Sequence, residues 1–205
     1  MENIDKIFFI NLDYRTDRLE EITNELETYN FPKDKIERFP AIKFEKDGII
    51  QPDVGCAKSH LEILKMSLQK GYENILILED DFKFIVTNEI FNKNMTEFFN
   101  RHKNDYDAVM LSYNLKSFEE KDELVGYVKS AQTASGYMVN KRLLPELIVN
   151  IEEGLKNLIN TREHWNYAND VCWFSLQKNK KWFYFKERIG IQRPSYSDCV
   201  KKFCN

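Results

Sequence analysis

Three consecutive carboxylates, Glu79, Asp80 and Asp81, follow the short aliphatic run of residues 75–78. A run of this length, rich in isoleucine and leucine, predicts a buried strand of an α/β sheet. Adjacent acids repel one another unless a cation lies among them, and oxygen ligands favour Mg²⁺ or Mn²⁺ over softer metals. Because such a cation typically neutralises a diphosphate, the motif indicates chemistry on a nucleotide-linked substrate. Taken alone, the same residues are also typical of a strand that ends in an acidic surface turn.

A second polar segment, residues 11–18, follows another predicted strand at residues 6–12. In open α/β sheets, ligands bind beyond the carboxyl ends of the strands. We therefore expect residues 11–18 and 79–81 to face one cleft, which favours a binding site over a surface turn.

Within that segment, Arg15 and Arg18 are candidates for contact with a phosphate, because a planar guanidinium binds phosphate oxygens through two hydrogen bonds. The alternative is a simple helix start, with Asp17 near the positive end of the helix dipole and Arg18 exposed. For Asp17 both interpretations stay open, whereas for Arg15 we favour binding.

Gly55, Cys56, Ser59 and His60 lie in a predicted helix. Cys56 and His60 are four residues apart and share a helix face, which is half of a zinc site. The sequence holds no second Cys/His pair to complete it, so zinc is disfavoured. We expect Gly55 to permit a close backbone approach, and Ser59 and His60 to form hydrogen bonds in the cleft wall or with a ligand. A histidine buried for structural reasons is an equally good interpretation of His60.

Strand and helix patterns alternate along the chain, which predicts an α/β fold with a mostly parallel sheet. One helix is expected to be capped by Asp53, to run to Lys70 and to end at Gly71. The other predicted helices span residues 19–29, 90–99, 141–150 and 170–177. Further strands are predicted at residues 36–42, 107–112, 125–128, 136–139 and 182–185, and loops at 43–53 and 192–199.

The composition is that of a folded domain. The 205 residues suffice for one substantial core, and we expect a single domain over residues 1–205. Hydrophobic residues make up 42% and aromatic residues 14% of the chain, which excludes an intrinsically disordered protein. With 30 basic against 33 acidic residues, there is no basic excess of the kind that binds nucleic acid or anionic membranes.

The sequence shows no feature of a membrane or secreted protein. No apolar run is long enough to span a bilayer, and the acidic residues 1–5 lack the plan of a signal peptide. A soluble cytoplasmic protein is therefore expected, unless an anchor or a further domain lies outside this sequence.

The 4 cysteines form no Cys-x-x-Cys motif, which disfavours a zinc ribbon or a thioredoxin-like centre. Cys199 and Cys204 could pair, but free thiols are favoured in a cytosolic chain.

Four short motifs stand in order along the chain. They are Ile10-Asn11-Leu12-Asp13 with Arg15, Asp17 and Arg18; Gly55-Cys56-Ala57-Lys58-Ser59-His60-Leu61; Leu78-Glu79-Asp80-Asp81; and Gln192 with Ser195, Ser197 and Asp198. In order and spacing they resemble the motifs of glycosyltransferase family 25, the family of lipooligosaccharide and procollagen galactosyltransferases. Any one motif is weak evidence, whereas four in order are strong.

The resemblance implies a GT-A fold, which is a single Rossmann-like domain around a central, mostly parallel sheet. It also implies transfer of a hexose from a UDP-sugar to a hydroxyl of a glycan or protein, with inversion of configuration. The implied cofactor is Mn²⁺ or Mg²⁺. No partner nucleic acid and no membrane span are expected.

In the resembling family the acidic motif acts as the D-x-D of a GT-A enzyme, so Glu79 and Asp81 would occupy its outer positions. Asp81 is the strongest candidate for direct coordination of the metal, and Asp80 for a contact with ribose or water. The metal would stabilise the charge that grows on the UDP leaving group.

The other motifs would surround the nucleotide-sugar. The residues implied to bind it are Asn11, Leu12, Arg15 and Arg18 near uracil, ribose and phosphate, and Gly55, Ser59 and His60 near the sugar. Gln192 and Ser197 of the closing motif would fold back over the nucleotide. Since no histidine follows His164 to serve as a third metal ligand, that role falls to Asp198, Gln192 or water.

Asp170 is the candidate catalytic base, because an inverting transferase needs a carboxylate to take the proton of the acceptor hydroxyl. The alternative for Asp170 is a helix N-cap, and both roles are compatible. The resemblance supports a functional acid near a tryptophan, so Trp173 is expected to offer an apolar face to a sugar ring.

Other functions remain open at this point. The main alternative is a catalytically inactive nucleotide- or sugar-binding module of the same fold. A metal-dependent phosphatase would need a nucleophilic Asp where Glu79 stands, and a nucleotidyltransferase would need a glycine-rich phosphate loop that the sequence lacks.

The abundance of Lys, Asn and Ile is typical of an AT-rich genome, such as that of a large DNA virus.

Overall fold

A computed structural model describes residues 2–197 and 202–204 of the chain, without the side chains of residues 195–197 and 202–204. Its strands are β1 Lys6–Asn11, β2 Ile36–Pro40, β3 Glu45–Lys46, β4 Ile49–Ile50, β5 Asn74–Glu79, β6 Phe82–Phe84, β7 Ala108–Met110, β8 Asn114–Glu120, β9 Val125–Gln132, β10 Gly136–Asn140, β11 Trp182–Phe185, β12 Gly190–Gln192, β13 Ser195–Ser197 and β14 Lys202–Cys204. Its helices are α1 Thr16–Thr28, α2 Pro52–Lys70, α3 Asn88–His102, α4 Leu144–Thr161, α5 His164–Tyr167, α6 Asn169–Cys172 and α7 Phe174–Asn179.

Eight strands form the central sheet, in the order β2-β1-β5-β10-β7-β11-β9-β8. The strands β2, β1 and β5 are parallel to one another, and β11 is parallel to β7. Strand β10 is antiparallel to both of its neighbours, and β9 is antiparallel to β11 and β8. Six of the eight strands therefore point the same way, with β10 and β9 reversed. The prediction of an α/β fold with a mostly parallel central sheet is confirmed.

The sheet separates two hydrophobic cores, because successive side chains of a strand point to opposite faces. Ile75 and Ile77 of β5 pack in the core that includes α2 and α4. Leu76 and Leu78 pack in the core that includes α1 and α3. This alternation decides where the acids at the end of β5 point: Glu79 continues on the α2 side, and Asp80 turns toward α1.

Helix α2 begins one residue earlier than the predicted cap. Pro52 occupies the first helical position and Gln51 the cap position, so the prediction of Asp53 as the N-cap is wrong. Proline is favoured there because its fixed φ suits the first turn and its missing N–H needs no partner. The side chain of Asp53 accepts a hydrogen bond from the neighbouring Val54 N–H. Gly71 ends the helix in a left-handed conformation with φ of 74°, as predicted.

Other boundaries also differ from the prediction. Residues 43–53, expected to be a loop, contain the short hairpin of β3 and β4. Strand β8 was not predicted, because its sequence is mostly polar and it forms an edge of the sheet with little apolar alternation. Gln192, expected in a loop, lies at the end of β12, which pairs with β6 directly after the acidic motif.

Helix α4 extends to Thr161, eleven residues beyond the predicted end at Asn150. The extension is amphipathic, since Ile151, Leu155 and Leu158 remain buried along one face. Among the described residues, no helix combines the length and the apolar character that crossing a lipid bilayer would require.

Candidate active site

A cavity of about 380 Å³ opens at the carboxyl ends of β1 and β5. This is the edge of a parallel sheet where ligands bind in open α/β folds. Its lining consists of Ile10, Leu12, Tyr14, Arg18, Ala41, Ile42, Lys43, Phe44, Ile50, Pro52, Cys56, Glu79, Asp80, Asp81 and Gln192. The structure therefore brings the segment after β1, the acidic motif and the closing motif to one cleft.

Asp80 joins the acidic motif to the first helix. One of its carboxylate oxygens accepts a hydrogen bond from Asn11 Nδ2 at 2.8 Å, and the other from Arg18 at 2.9 Å. Its backbone N–H donates to the carbonyl of Ile10 at 3.0 Å. The alternative in which Arg18 is exposed is wrong, since Arg18 is only 8% exposed and holds the acid in place.

Asp81 is the least satisfied of the three acids. Its Oδ2 accepts a hydrogen bond from Gln192 Nε2 at 3.1 Å and lies 3.2 Å from the Arg18 guanidinium. Its Oδ1 is buried and, within the described part of the chain, has no hydrogen-bond partner. Burial, and after it the negative charge of Glu79, raise the pKa of Asp81 to about 7, although the nearby charge of Arg18 acts to lower it. An unpartnered carboxylate oxygen beside other acids is suited to a hard cation.

Glu79 points to the opposite side of β5, toward α2. Its Oε1 accepts hydrogen bonds from His60 Nε2 at 3.0 Å and from Cys56 Sγ at 3.5 Å. The other ring nitrogen of His60 lies 2.9 Å from the hydroxyl of Tyr137. Burial is the largest single effect and acts to raise the pKa of Glu79. The hydrogen bond and electrostatic interaction with His60, the hydrogen bond from Cys56 and the charge of Arg18 together outweigh it, so the pKa is lowered. Glu79 is therefore held as an ionised carboxylate at the cavity.

Gly55 and Ser59 support the cavity wall from behind. A Cβ on Gly55 would lie 2.3 Å from the carbonyl oxygen of Ile42, so only glycine permits this contact between α2 and the wall. Ser59 Oγ accepts the N–H of Ile42 at 2.9 Å and donates to the carbonyl of Gly55 at 2.8 Å. Ser59 and His60 are both fully buried. The structure thus places Gly55, Ser59 and His60 beneath the lining, in the cleft wall, which is one of the two places expected for Ser59 and His60. Their contact with the sugar stays a prediction.

Asn11, Leu12 and Arg15 take three different places. Leu12 lines the cavity, whereas Asn11 is buried behind it, between Asp80 and the guanidinium of Arg38. Arg15 forms hydrogen bonds of 3.0 and 2.8 Å with Asp17, and these lower the pKa of Asp17 to about 2. In this conformation Arg15 is outside the lining, so Arg18 is the arginine of this segment that reaches the cavity.

Asp170 lies near the acids but outside the cavity lining. Its Oδ2 accepts the backbone N–H of Thr133 at 3.0 Å. Burial raises the pKa of Asp170, and the charge of Glu79 raises it as well. The alternative role as N-cap is wrong, because Ala168 occupies the cap position and Asp170 lies in the first turn.

Trp173 does not form a sugar-binding face. It is fully buried, and its indole N–H donates to the carbonyl of Ala131 at 3.2 Å. Its ring packs against Tyr137 and Trp182 in the core on the α2 side of the sheet. The prediction fails because the apolar pattern of residues 171–176 fits core packing as well as it fits a binding surface.

The closing motif is seen only in part. Gln192 reaches Asp81, as described above. The backbone of Ser197 lies in β13, but its side chain and the whole of Asp198 lie outside the described residues. The roles expected for Ser197 and Asp198 stay predictions.

Sequence reasoning missed two groups of residues. The outer wall of the cavity includes Tyr14, which is 53% exposed, together with Lys43 and Phe44. The ammonium of Lys43 lies 4.7 Å from the centre of the Tyr14 ring. The position of Tyr14 inside the polar segment 11–18 was the available signal in the sequence.

Arg193, the second omission, links the acidic motif to α1. Its backbone N–H donates to the carbonyl of Asp81 at 2.6 Å. Its guanidinium pairs with Glu21 at 2.6 Å and with Glu25 at 3.1 Å. Its position directly after Gln192 was a usable signal.

Comparisons with known proteins indicate the family and the fold of the chain. The model of glycosyltransferase family 25, described as an LPS biosynthesis protein, matches residues 43–173. A glycosyltransferase 25 family member of Drosophila melanogaster is 24% identical over 144 residues, covering 59% of this chain and 22% of the fly protein. The matched part is thus well under half of that curated relative.

Two solved structures show the same fold. The glycosyltransferase GlyE of Streptococcus pneumoniae TIGR4 has a TM-score of 0.52 at 11% identity, covering 90% of this chain and 45% of that one. UDP-glucose pyrophosphorylase complexed with UDP-glucose has a TM-score of 0.51 at 11% identity, covering 89% of this chain and 90% of that one. The fold is therefore shared with GT-A-like glycosyltransferases and nucleotidyltransferases. Because the family model matches more than half of its residues, the chain belongs to glycosyltransferase family 25.

Proposed function

We propose that the chain transfers a hexose from a UDP-sugar to a hydroxyl of a glycan or protein, with Mn²⁺ or Mg²⁺ as cofactor. The observation that carries the proposal is the convergence of Glu79, Asp80 and Asp81 on one cavity, where Arg18 and Lys43 supply positive charge. A cavity of about 380 Å³ is in the range of small-molecule sites. Family membership supports glycosyl transfer, and a pyrophosphorylase of the same fold is known in complex with UDP-glucose.

Asp81 is the residue that we assign to the divalent cation. Its buried Oδ1, unpartnered among the described residues, and its pKa raised to about 7 are both features that a bound cation would relieve. Glu79, on the same cavity, is the second acidic candidate, and Gln192 holds the other oxygen of Asp81. When bound, the cation supplies a Lewis acid that offsets the negative charge of the diphosphate.

The outer wall of the cavity is suited to the nucleotide. Tyr14 and Phe44 offer aromatic faces on which a uracil ring can stack, and Leu12 offers an apolar contact. Arg18 lines the same cavity and binds Asp80, so its guanidinium can bind a phosphate oxygen while keeping Asp80 in place. The chain thus binds the donor with uracil outward and the sugar toward Glu79.

Asp170 is the residue that we assign as the general base. It takes the proton of the acceptor hydroxyl while that oxygen bonds to the anomeric carbon, and UDP leaves with the electron pair of the broken bond. Attack opposite the leaving group inverts the configuration. The raised pKa of Asp170 favours proton uptake, and the hydrogen bond from the Thr133 N–H fixes its orientation.

An inactive binding module of the same fold is the second candidate. One observation favours it: Asp80 is bound by Asn11 and Arg18, and Glu79 by His60 and Cys56, so two of the three acids are already satisfied within the chain. Such a module would bind UDP or a UDP-sugar without turnover.

Release of UDP tests the proposal directly. The intact chain is incubated with UDP-glucose, UDP-galactose, UDP-xylose and UDP-N-acetylglucosamine, with and without Mn²⁺, and with simple sugar acceptors. We expect metal-dependent turnover of one donor that Asp81→Ala reduces at least a hundredfold. Glu62→Ala, which removes an exposed acid on α2, is the matched control and should retain full activity.

Two results would contradict different parts of the proposal. Turnover that persists in Asp81→Ala would remove the metal assignment, and UDP binding by calorimetry without turnover of any donor would favour the binding module. Asp170→Asn distinguishes a general base from a donor-binding residue, because loss of the base lowers kcat while the affinity for the UDP-sugar stays unchanged.

A further inference from the structure

Cys56, His60 and Glu79 bring three different metal-ligating atoms together at the floor of the cavity. The sulfur of Cys56 and Nε2 of His60 lie 3.5 and 3.0 Å from Oε1 of Glu79. All three ligand atoms lie within 4.8 Å of one another. The sequence indicated only two of these ligands, both on α2. The third comes from the end of β5, where Glu79 points to the face of the sheet on which α2 packs.

These separations suit a tetrahedral site. Zinc bonds of about 2.0–2.3 Å place neighbouring ligand atoms about 3.3 Å apart for nitrogen and oxygen, and about 3.6 Å apart for sulfur and oxygen. The two separations to Glu79, 3.0 and 3.5 Å, are close to these values. The sulfur of Cys56 and the nitrogen of His60 lie within 4.8 Å of each other, so these two ligands on α2 would close around the ion. His60 is fully buried and its ring position is fixed, so the site is largely formed before any ion arrives.

Tyr137 completes the surroundings of the histidine. Its hydroxyl lies 2.9 Å from Nδ1 of His60 and can either donate or accept there. Without a metal, Nε2–H of His60 donates to Glu79, and the Tyr137 hydroxyl donates to Nδ1. With a metal on Nε2, the proton of the ring lies on Nδ1, and the Tyr137 hydroxyl accepts a hydrogen bond from it. Histidine ligands in metal sites commonly have such a partner on the other nitrogen.

We propose that Cys56, His60 and Glu79 bind one Zn²⁺, with a fourth position open to the cavity that Cys56 and Glu79 both line. A sulfur, a nitrogen and an oxygen ligand select zinc over Mg²⁺ or Mn²⁺, which prefer oxygen. Binding converts the Cys56 thiol to a thiolate, and its proton passes to solvent. The site holds Glu79 in place, and the open position accepts water or a hydroxyl of a bound ligand.

Glu79 is also the second acidic candidate for the cation assigned to Asp81, but the two sites differ in their other ligands. The zinc site uses the Oε1 atom of Glu79, which faces α2, whereas Asp81 faces Arg18 and Gln192. The proposal does not rest on the transferase activity, so the failure of one leaves the other standing.

Cobalt substitution tests the site in the intact chain, free of any affinity tag. Co²⁺ bound to a thiolate gives a charge-transfer band in the near ultraviolet, and we expect this band at one Co²⁺ per chain, with Zn²⁺ displacing it and Mg²⁺ leaving it unchanged. Cys56→Ser should abolish the band, and Tyr137→Phe should weaken Zn²⁺ affinity roughly 10–100-fold. Cys172→Ser is the matched control and should keep the band. Like Cys56, Cys172 is a half-buried thiol, but its sulfur donates a hydrogen bond to the carbonyl of Asn169 and is not one of the three proposed ligands.

A second readout needs no variant of the site. Iodoacetamide labelling of the wild type, followed by mass spectrometry of the peptide that contains Cys56, should be blocked by Zn²⁺ and not by Mg²⁺. The proposal is overturned if no cobalt–thiolate band forms, if the band survives Cys56→Ser, or if Zn²⁺ leaves the labelling of Cys56 unchanged.

Discussion

At the scale of single residues, the three acids of one motif have three different roles. Asp80 fixes Arg18, Glu79 is held by His60, and Asp81 keeps a buried oxygen without a partner among the described residues. The sequence predicted that these acids mark the site, because their position at a strand end follows from the apolar run before them. It did not predict their division of roles, since the partners Asn11 and His60 come from distant elements that only the sheet order brings close.

The ionised carboxyl of Asp81 should destabilise the folded, metal-free protein at neutral pH. Its pKa in the folded state, about 7, is above the ordinary value of 3.8, so the folded state binds more protons between these values. The stability contributed by the protonated form is full below pH 3.8 and is lost as pH rises through about 7. We expect Asp81→Asn, which keeps the shape without the charge, to stabilise the chain by roughly 1–3 kcal/mol above pH 7 and hardly at all near pH 4.

Chemical denaturation in the presence of a chelator, at pH values from 4 to 8, measures this difference. Glu62→Gln, an exposed acid, serves as the control. Equal stability of the wild type and Asp81→Asn across the whole range would show that the buried carboxyl is not under electrostatic strain.

At the scale of elements, the contact between α2 and the segment after β2 builds the cavity wall. Gly55 lies against the carbonyl of Ile42, and Ser59 binds the N–H of the same residue. The sequence predicted a close backbone approach at Gly55 but not its partner, because Ile42 was expected to end a strand, whereas β2 ends at Pro40 and Ile42 lies in the irregular segment that follows. Periodicity identifies the faces of a helix, and it says little about which irregular segment lies on them.

Gly55→Ala should destabilise the chain and impair binding of UDP together. The added Cβ would lie 2.3 Å from a backbone oxygen, which cannot move away as a flexible side chain can. We expect a loss of about 1–3 kcal/mol in stability and at least tenfold weaker binding of UDP, because the wall that carries Lys43 and Phe44 must shift.

Thermal unfolding and calorimetry with UDP provide the two measurements. Gln69→Ala, an exposed position on the same helix, is the control and should change neither. If Gly55→Ala bound UDP as tightly as the wild type, the wall would not contact the nucleotide.

At the scale of the whole molecule, the two hydrophobic cores share one sheet. Strand β5 contributes to both, with Ile77 on one side and Leu78 on the other. The fold class followed from the alternation of strands and helices, but the reversal of β10 between β5 and β7 did not, because the sequence pattern of a strand carries no direction. That reversal places Ser135, just before β10, beside Glu79. The backbone N–H of Glu79 donates to the carbonyl of Ser135.

The shared sheet predicts a single cooperative unfolding transition for the chain, in agreement with the expected single domain. Trp173 and Trp182 report on the core of α2 and α4, while far-ultraviolet circular dichroism reports on all helices. We expect the fluorescence and circular dichroism transitions to coincide in urea. Two separated midpoints would mean that the two sides of the sheet unfold independently.

The opposite directions of Glu79 and Asp80 have a consequence for insertions and deletions. One residue added to or removed from the middle of β5, with the start of the strand kept in register, would move the two acids to the opposite faces of the sheet. An insertion would place Glu79 where Asp80 now meets Arg18, and a deletion would place Asp80 where Glu79 now meets His60. The aliphatic residues between the change and the acids would also change cores. The motif should therefore tolerate exchange of one acid for another far better than any change in length, and lineages of this chain should vary in the composition of β5 but keep its number of residues.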